Sequence, residues 1–107
     1  MPKLEILQSN TYSRWFARLR DRMAKLRIAA YFDKAQAIGK LHGDYKAIGN
    51  SIVEVRFDFG PGYRVYLTQD GSTIILLLVG GDKTTQTRDI KKAKNLAQEW
   101  RRDNENH

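Results

Sequence analysis

The 107-residue chain contains no cysteine, which excludes a disulfide framework, a thiolate nucleophile and a cysteine-based zinc site. It also lacks any run of about 18 apolar residues of the kind that spans a bilayer. The longest apolar run, residues 74–79, is the size of a strand. The opening Met1-Pro2-Lys3-Leu4-Glu5-Ile6 does not follow the charged-then-apolar plan of an export signal. These absences lead to the expectation of a cytoplasmic protein that engages no membrane. Histidine is confined to His42 and the terminal His107, and no internal repeat, linker or low-complexity segment occurs. No metal or cofactor is expected. Acidic residues are in the minority: 12 Asp and Glu against 19 Lys and Arg leave a formal charge of +7. Such a surplus implies an acidic partner, either a nucleic acid or an acidic protein segment.

What the chain does have is a strict alternation of side chains over residues 52–67. Val53, Val55, Phe57 and Phe59 fall on one face of an extended strand, and Glu54, Arg56 and Asp58 fall on the other. After the Gly60-Pro61-Gly62 turn, Tyr63, Val65 and Leu67 share one face while Arg64, Tyr66 and Thr68 share the opposite one. Paired antiparallel, the two strands hold Arg56 and Arg64 on the same side of a sheet. Two guanidinium forks so placed suit a phosphate.

Around this hairpin the periodicity supplies the remaining elements. Residues 4–7 predict a short opening strand. Tyr12, Trp15, Phe16 and Leu19 recur at helical spacing from about Thr11, and a second stripe runs Ile28, Tyr31, Phe32, Ala35 and Ile38. The two stripes are out of phase, which predicts two helices broken near Asp21, with Asp21 capping the second and Gly39 stopping it. Turn residues at both ends of the segment 43–50 leave room for one short strand. Strands are expected at 52–59, 63–69 and 73–79, with a hairpin at Asp70-Gly71. A loop over 80–85 then leads to a last helix carrying Ile90, Ala93, Leu96, Ala97 and Trp100, with Thr84 or Thr85 as its cap. Residues 103–107 read as a frayed tail. The expected fold is a single α+β domain over residues 1–107, a twisted antiparallel sheet with helices against one face.

Four segments in this order resemble a known family. They are the strand Val53-Glu54-Val55-Arg56, the hairpin Gly60-Pro61-Gly62-Tyr63-Arg64-Val65-Tyr66, the apolar strand ending Val79-Gly80-Gly81-Asp82-Lys83, and the helix opening Thr84-Thr85-Gln86-Thr87-Arg88-Asp89-Ile90-Lys91. Together they are similar to the RelE/ParE toxin superfamily, in its HigB-like, phage-Gp49-like branch of addiction-module killer proteins. The resemblance implies a RelE-like, microbial-ribonuclease-like fold with two N-terminal helices and one C-terminal helix. It further implies the toxin of a bacterial type II toxin–antitoxin pair. Such a toxin cleaves messenger RNA within the translating ribosome, contacts ribosomal RNA, and is neutralised by a cognate antitoxin. Promoter DNA would be reached only through the antitoxin complex.

Carried over by position, the resemblance points to Arg56, Arg64 and Lys83 around one scissile phosphate. Cleavage without a metal requires removal of the 2′-hydroxyl proton, in-line geometry, stabilisation of the added negative charge and protonation of the leaving 5′-oxygen. Arginine suits the charge; Lys83 is the candidate acid, and Glu54 or Asp82 the candidate base. Tyr66 is expected to stack on a base, and Arg88 and Lys91 to contact RNA from the last helix. The Gly80-Gly81 pair reads as a strand-to-helix turn, with a backbone phosphate cradle as the alternative. His42 reads as a solvated loop histidine. Two functional alternatives remain open: a ParE-like toxin that inhibits DNA gyrase without nuclease chemistry, and a nucleic-acid-binding module with no chemistry at all.

Overall fold

The computed structural model describes residues 4–105. Five strands and three helices follow one another as β1 (Glu5–Gln8), α1 (Asn10–Arg18), α2 (Arg22–Ile38), β2 (Tyr45–Ala47), β3 (Ile52–Arg56), β4 (Tyr63–Asp70), β5 (Ile74–Asp82) and α3 (Gln86–Glu105), with a 3-10 turn at Lys83–Thr85 before α3. The strands form one sheet in the order β1-β5-β4-β3-β2. From β2 to β5 the pairing is antiparallel, as the meander predicts, whereas β1 joins β5 in parallel.

The helix ends follow their capping chemistry. Asp21 caps α2 by accepting the Ala24 N–H at 3.1 Å, and Gly39 ends it in the left-handed region at φ 79°. Ser9 caps α1, one turn position earlier than the expected start: its Oγ accepts the Tyr12 N–H at 3.0 Å and donates to the Leu78 carbonyl at 2.6 Å. Ahead of α3, Asp82 rather than Thr84 or Thr85 is the cap, and what it caps is the 3-10 turn that leads into the helix. Asp82 and Thr85 form a reciprocal capping box around the 3-10 turn. α3 continues to Glu105, so residues 103–105 are helical rather than frayed; His107 lies outside the described residues.

The helices cover both faces of the sheet, not one. On the first face α1 and α2 bury Tyr12, Ala24, Ile28 and Phe32 against Val55, Val65, Leu67, Ile75 and Leu77. On the second, α3 lays Ala93 and Ala97 over Ile52, Tyr66, Leu76 and Leu78. β5 is therefore covered on both sides, which accounts for its nearly continuous apolar sequence. It also carries an irregularity. Tyr66 pairs with Val79 and Leu67 with Leu77, so Leu78 is an extra residue, a β-bulge. The bulge puts Leu78 and Val79 on the same, α3-facing side. Beyond it the two glycines face opposite ways.

Candidate functional site

The hairpin register builds the site. Arg56 of β3 pairs with Arg64 of β4, which in turn pairs with Gly81 of β5, giving one row across three strands on the α3 side of the sheet. The adjoining row is Glu54, Tyr66 and Val79. At the end of these strands the chain turns through Gly60 at φ 56° and Gly62 at φ 78°, and the Gly62 N–H donates to the Phe59 carbonyl at 3.1 Å. A groove of about 480 Å³ opens there, lined by Arg56, Arg64, Lys83, Asp44 and the 57–62 loop. Lys83 reaches it because Gly62 has no side chain: a Cβ at Gly62 would come within 3.0–3.1 Å of the Lys83 methylenes.

Within this groove the three cations differ in their surroundings. Arg64 is only 8 % exposed; its Nη1 makes one long contact, 3.4 Å, to the Tyr63 carbonyl, and its Nε has no hydrogen-bond partner. Arg56 is about one-third exposed and is flanked by two carboxylates, Glu54 at 3.4 Å and Asp44 at 3.7 Å from its Nε. Lys83 is exposed. A cation buried beside a cavity with an unused donor retains its capacity for an anionic ligand.

Several of the expected site residues are placed elsewhere. Glu54 is 1 % exposed and lies behind Arg56, off the groove wall, with one carboxylate oxygen accepting the Gln86 Nε2 at 2.7 Å. Asp82 is committed to the cap, where its Oδ1 accepts from the Thr84 amide at 2.8 Å and the Thr84 hydroxyl at 2.6 Å. The hydrogen bond from the Thr84 side chain is the main cause holding the Asp82 carboxyl below its ordinary range. A carboxylate so stabilised is a weaker proton acceptor than the expected base. Tyr66 is fully buried under α3, so its ring offers no face to a base. The alternation assigns its face correctly, but that face is covered. Burial first, and then the nearby Glu54 carboxylate, push its phenol well above the usual range. Arg88 and Lys91 are exposed on α3 and do not line the groove. Tyr63 points into the opposite core, with its ring 6.3 Å from Trp15 and 5.8 Å from Phe59.

His42 is not a free loop histidine: its ring stacks 4.0 Å from that of Tyr31 and its Nε2 lies 3.0 Å from the Tyr31 carbonyl. The glycine pair is neither a loop nor a phosphate cradle, since both residues belong to β5. A Cβ on Gly80 would overlap the Trp15 indole, and one on Gly81 would overlap the Asp89 carboxylate. Two participants went unnoticed in the sequence. Asp44 reaches the groove because its carbonyl accepts the Arg56 N–H at 2.9 Å, a pairing announced only by the turn residues Gly43-Asp44. Gln86 has no local signal at all, being 32 residues from its partner Glu54. Among the described residues, no group of three or more His, Cys, Asp or Glu could hold a metal ion, and no helix is long and apolar enough to cross a membrane.

No family model matches the chain. An uncharacterized protein of Haemophilus influenzae is 43 % identical over 96 residues, a match that spans 90 % of this chain and 95 % of that protein. Among solved structures, a doubly substituted form of the E. coli toxin RelE in the free state superposes with a TM-score of 0.62 at 10 % identity, covering 85 % of this chain and 97 % of that one. At that identity the likeness is one of fold: a five-stranded sheet with three helices in the RelE arrangement.

Proposed function

We propose that this chain, which belongs to one family with the uncharacterized Haemophilus influenzae protein and has a RelE-like fold, is the toxin of a bacterial type II toxin–antitoxin pair. Within that class we assign it to the HigB-like branch, as a metal-independent, ribosome-dependent mRNA endoribonuclease acting in the cytoplasm. The observation that carries this reading is Arg64: a buried guanidinium with an unpartnered Nε on the wall of a groove that also holds Arg56 and Lys83.

The chemistry divides among the groove residues. Arg56 and Arg64 grip the non-bridging oxygens of the scissile phosphate and stabilise the charge added when the 2′-oxygen attacks, an effect worth about 10²–10³ in rate per donor in comparable sites. Lys83 carries the proton that the departing 5′-oxygen needs. For the 2′-hydroxyl proton, Asp58 is the groove carboxylate with no ion pair among the described residues, whereas Asp44 is paired with Arg56. Phe59, partly exposed on the same groove, replaces Tyr66 as the candidate for contact with a base. A cognate antitoxin neutralises the protein most simply by covering this groove, and promoter DNA is met only through the antitoxin complex.

A specific observation favours a second reading. Among the described residues no histidine or tyrosine lines the groove, and a toxin that binds DNA gyrase in the ParE manner needs no proton shuttle. Primer extension across several messages after brief induction, comparing wild type with the Arg56→Ala/Arg64→Ala double variant, separates the two. Cuts within translated frames that vanish in the variant support the nuclease. Intact messages with growth arrest and DNA damage replace it with the gyrase reading.

A further inference from the structure

We propose that Glu54 and Gln86 form a buried brace that fixes the orientation of Arg56 and ties it to the start of α3. The inference rests on the reading above, in which Arg56 contacts the RNA phosphate.

The first observation is where the carboxylate lies. Glu54 is 1 % exposed on the face that α3 covers, where its cross-strand neighbour is Tyr66, whose phenol lies beside the same carboxylate, and the apolar Ile52 stands two residues back on β3. Burying a carboxylate there costs more than a single ion pair returns, and an apolar side chain of similar volume would stabilise the sheet at least as well. Stability does not explain this residue; its partners do. Gln86, the first residue of α3, donates Nε2 to Glu54 Oε2 at 2.7 Å. The other oxygen, Oε1, faces Arg56 Nε at 3.4 Å.

The second observation is which edge of Arg56 is held. Both flanking carboxylates, buried Glu54 and exposed Asp44, approach Nε. The guanidinium is thus anchored from within the protein, and its two Nη groups are available to the groove. Oε1 and Nε are near enough to attract, yet neither makes a hydrogen bond. Gln86 follows Lys83 by three residues, so one hydrogen bond links the two cationic walls across β3 and α3.

The test reads the orientation of Arg56 separately from catalysis. In wild type, the Arg56 Nε–Hε resonance should be distinct and slowly exchanging in 15N NMR; in Glu54→Gln it should merge with those of solvent-exposed arginines. The same variant should keep its thermal midpoint and lose about 10- to 100-fold in the maximal rate of message cleavage on programmed ribosomes, with the half-saturating ribosome concentration little changed. In an Arg56→Ala background it should cause no further loss. Gln86→Leu, which leaves the Glu54 charge in place, should broaden the same resonance. An unmoved Arg56 resonance in Glu54→Gln, or an equal rate loss in the Arg56→Ala background, overturns the brace. Should the wild type cleave no message, the nuclease reading fails, and the resonance still decides whether the brace exists.

Discussion

Adding one methyl group at Gly81 tests how β5 meets α3. Gly81 sits opposite Arg64 in the ladder, on the face that α3 covers, and a Cβ there would run into the Asp89 carboxylate and come within 2.6 Å of Thr85 Oγ1. Asp89 is 5 % exposed and accepts the Thr85 hydroxyl at 2.5 Å, so neither group can move without breaking the bond that fixes the first turn of α3. Overpacking a core position costs about 1–3 kcal/mol, and a hydrogen bond to a charged group contributes about 1.5–3 kcal/mol. The two overlap, because relaxing the clash is what breaks the bond. Gly81→Ala should therefore cost about 2–4 kcal/mol, which for a domain of this size lowers the melting temperature by roughly 10–20 °C. Calorimetric or circular-dichroism melts measure it directly. In an Asp89→Ala background, where the nearer obstacle is gone and only Thr85 Oγ1 remains, Gly81→Ala should lose at least half of its penalty. A melting temperature within a degree or two of wild type, or a penalty undiminished by Asp89→Ala, would refute the argument.

Arg64→Lys keeps the charge but not the planar fork, and should reduce message cleavage by about 10²-fold or more in a folded protein; wild-type cleavage by this variant removes Arg64 from the site. Tyr66→Phe deletes a buried hydroxyl that lies beside the Glu54 carboxylate without a well-aligned hydrogen bond, and should change stability by no more than about 1 kcal/mol in denaturant titrations, a loss of about 2 kcal/mol or more being the contrary result. Asp82→Ala removes the cap of the 3-10 turn before α3 and should cost about 1 kcal/mol at neutral pH. The folded-state pKa of Asp82 is depressed, so its contribution is present above the unfolded carboxylate range, about 3.9, and disappears as pH falls through the folded value. Melts from pH 7 to pH 3 should therefore show the gap between variant and wild type closing at the acid end.

Side-chain periodicity reports what a segment does locally, and at that level this chain is legible. The hairpin that pairs Arg56 with Arg64, the break at Asp21, the stop at Gly39 and the apolar β5 all follow from alternation, capping and turn chemistry within a few residues. What escapes is what closes over a face from elsewhere in the chain. Arg64 and Tyr66 share a face by alternation, yet α3 covers Tyr66 completely and leaves Arg64 beside the groove. The parallel pairing of β1 with β5 joins residues about 69 positions apart and leaves no periodic trace. The cap at Asp82 is hidden in the sequence by two threonines that follow closely and are themselves capping residues. Glu54 and Asp82 show the same divide as Tyr66: their residue type and strand position are readable, but the partners Gln86 and Thr84 that engage them are not.

The surplus residue in β5 has a wider consequence for the groove. Nine residues of β5 are laid against eight of β4, and a ladder cannot seat the ninth without bending. The bend falls between the part of the sheet that is plain core and the rows that carry Glu54, Arg56 and Arg64. The aim of the cationic end relative to the rest of the molecule is thus set by a count of residues in a strand that contributes no charged side chain to the groove. Changes of chain length at Leu78 would re-point the site while leaving every one of its side chains in place.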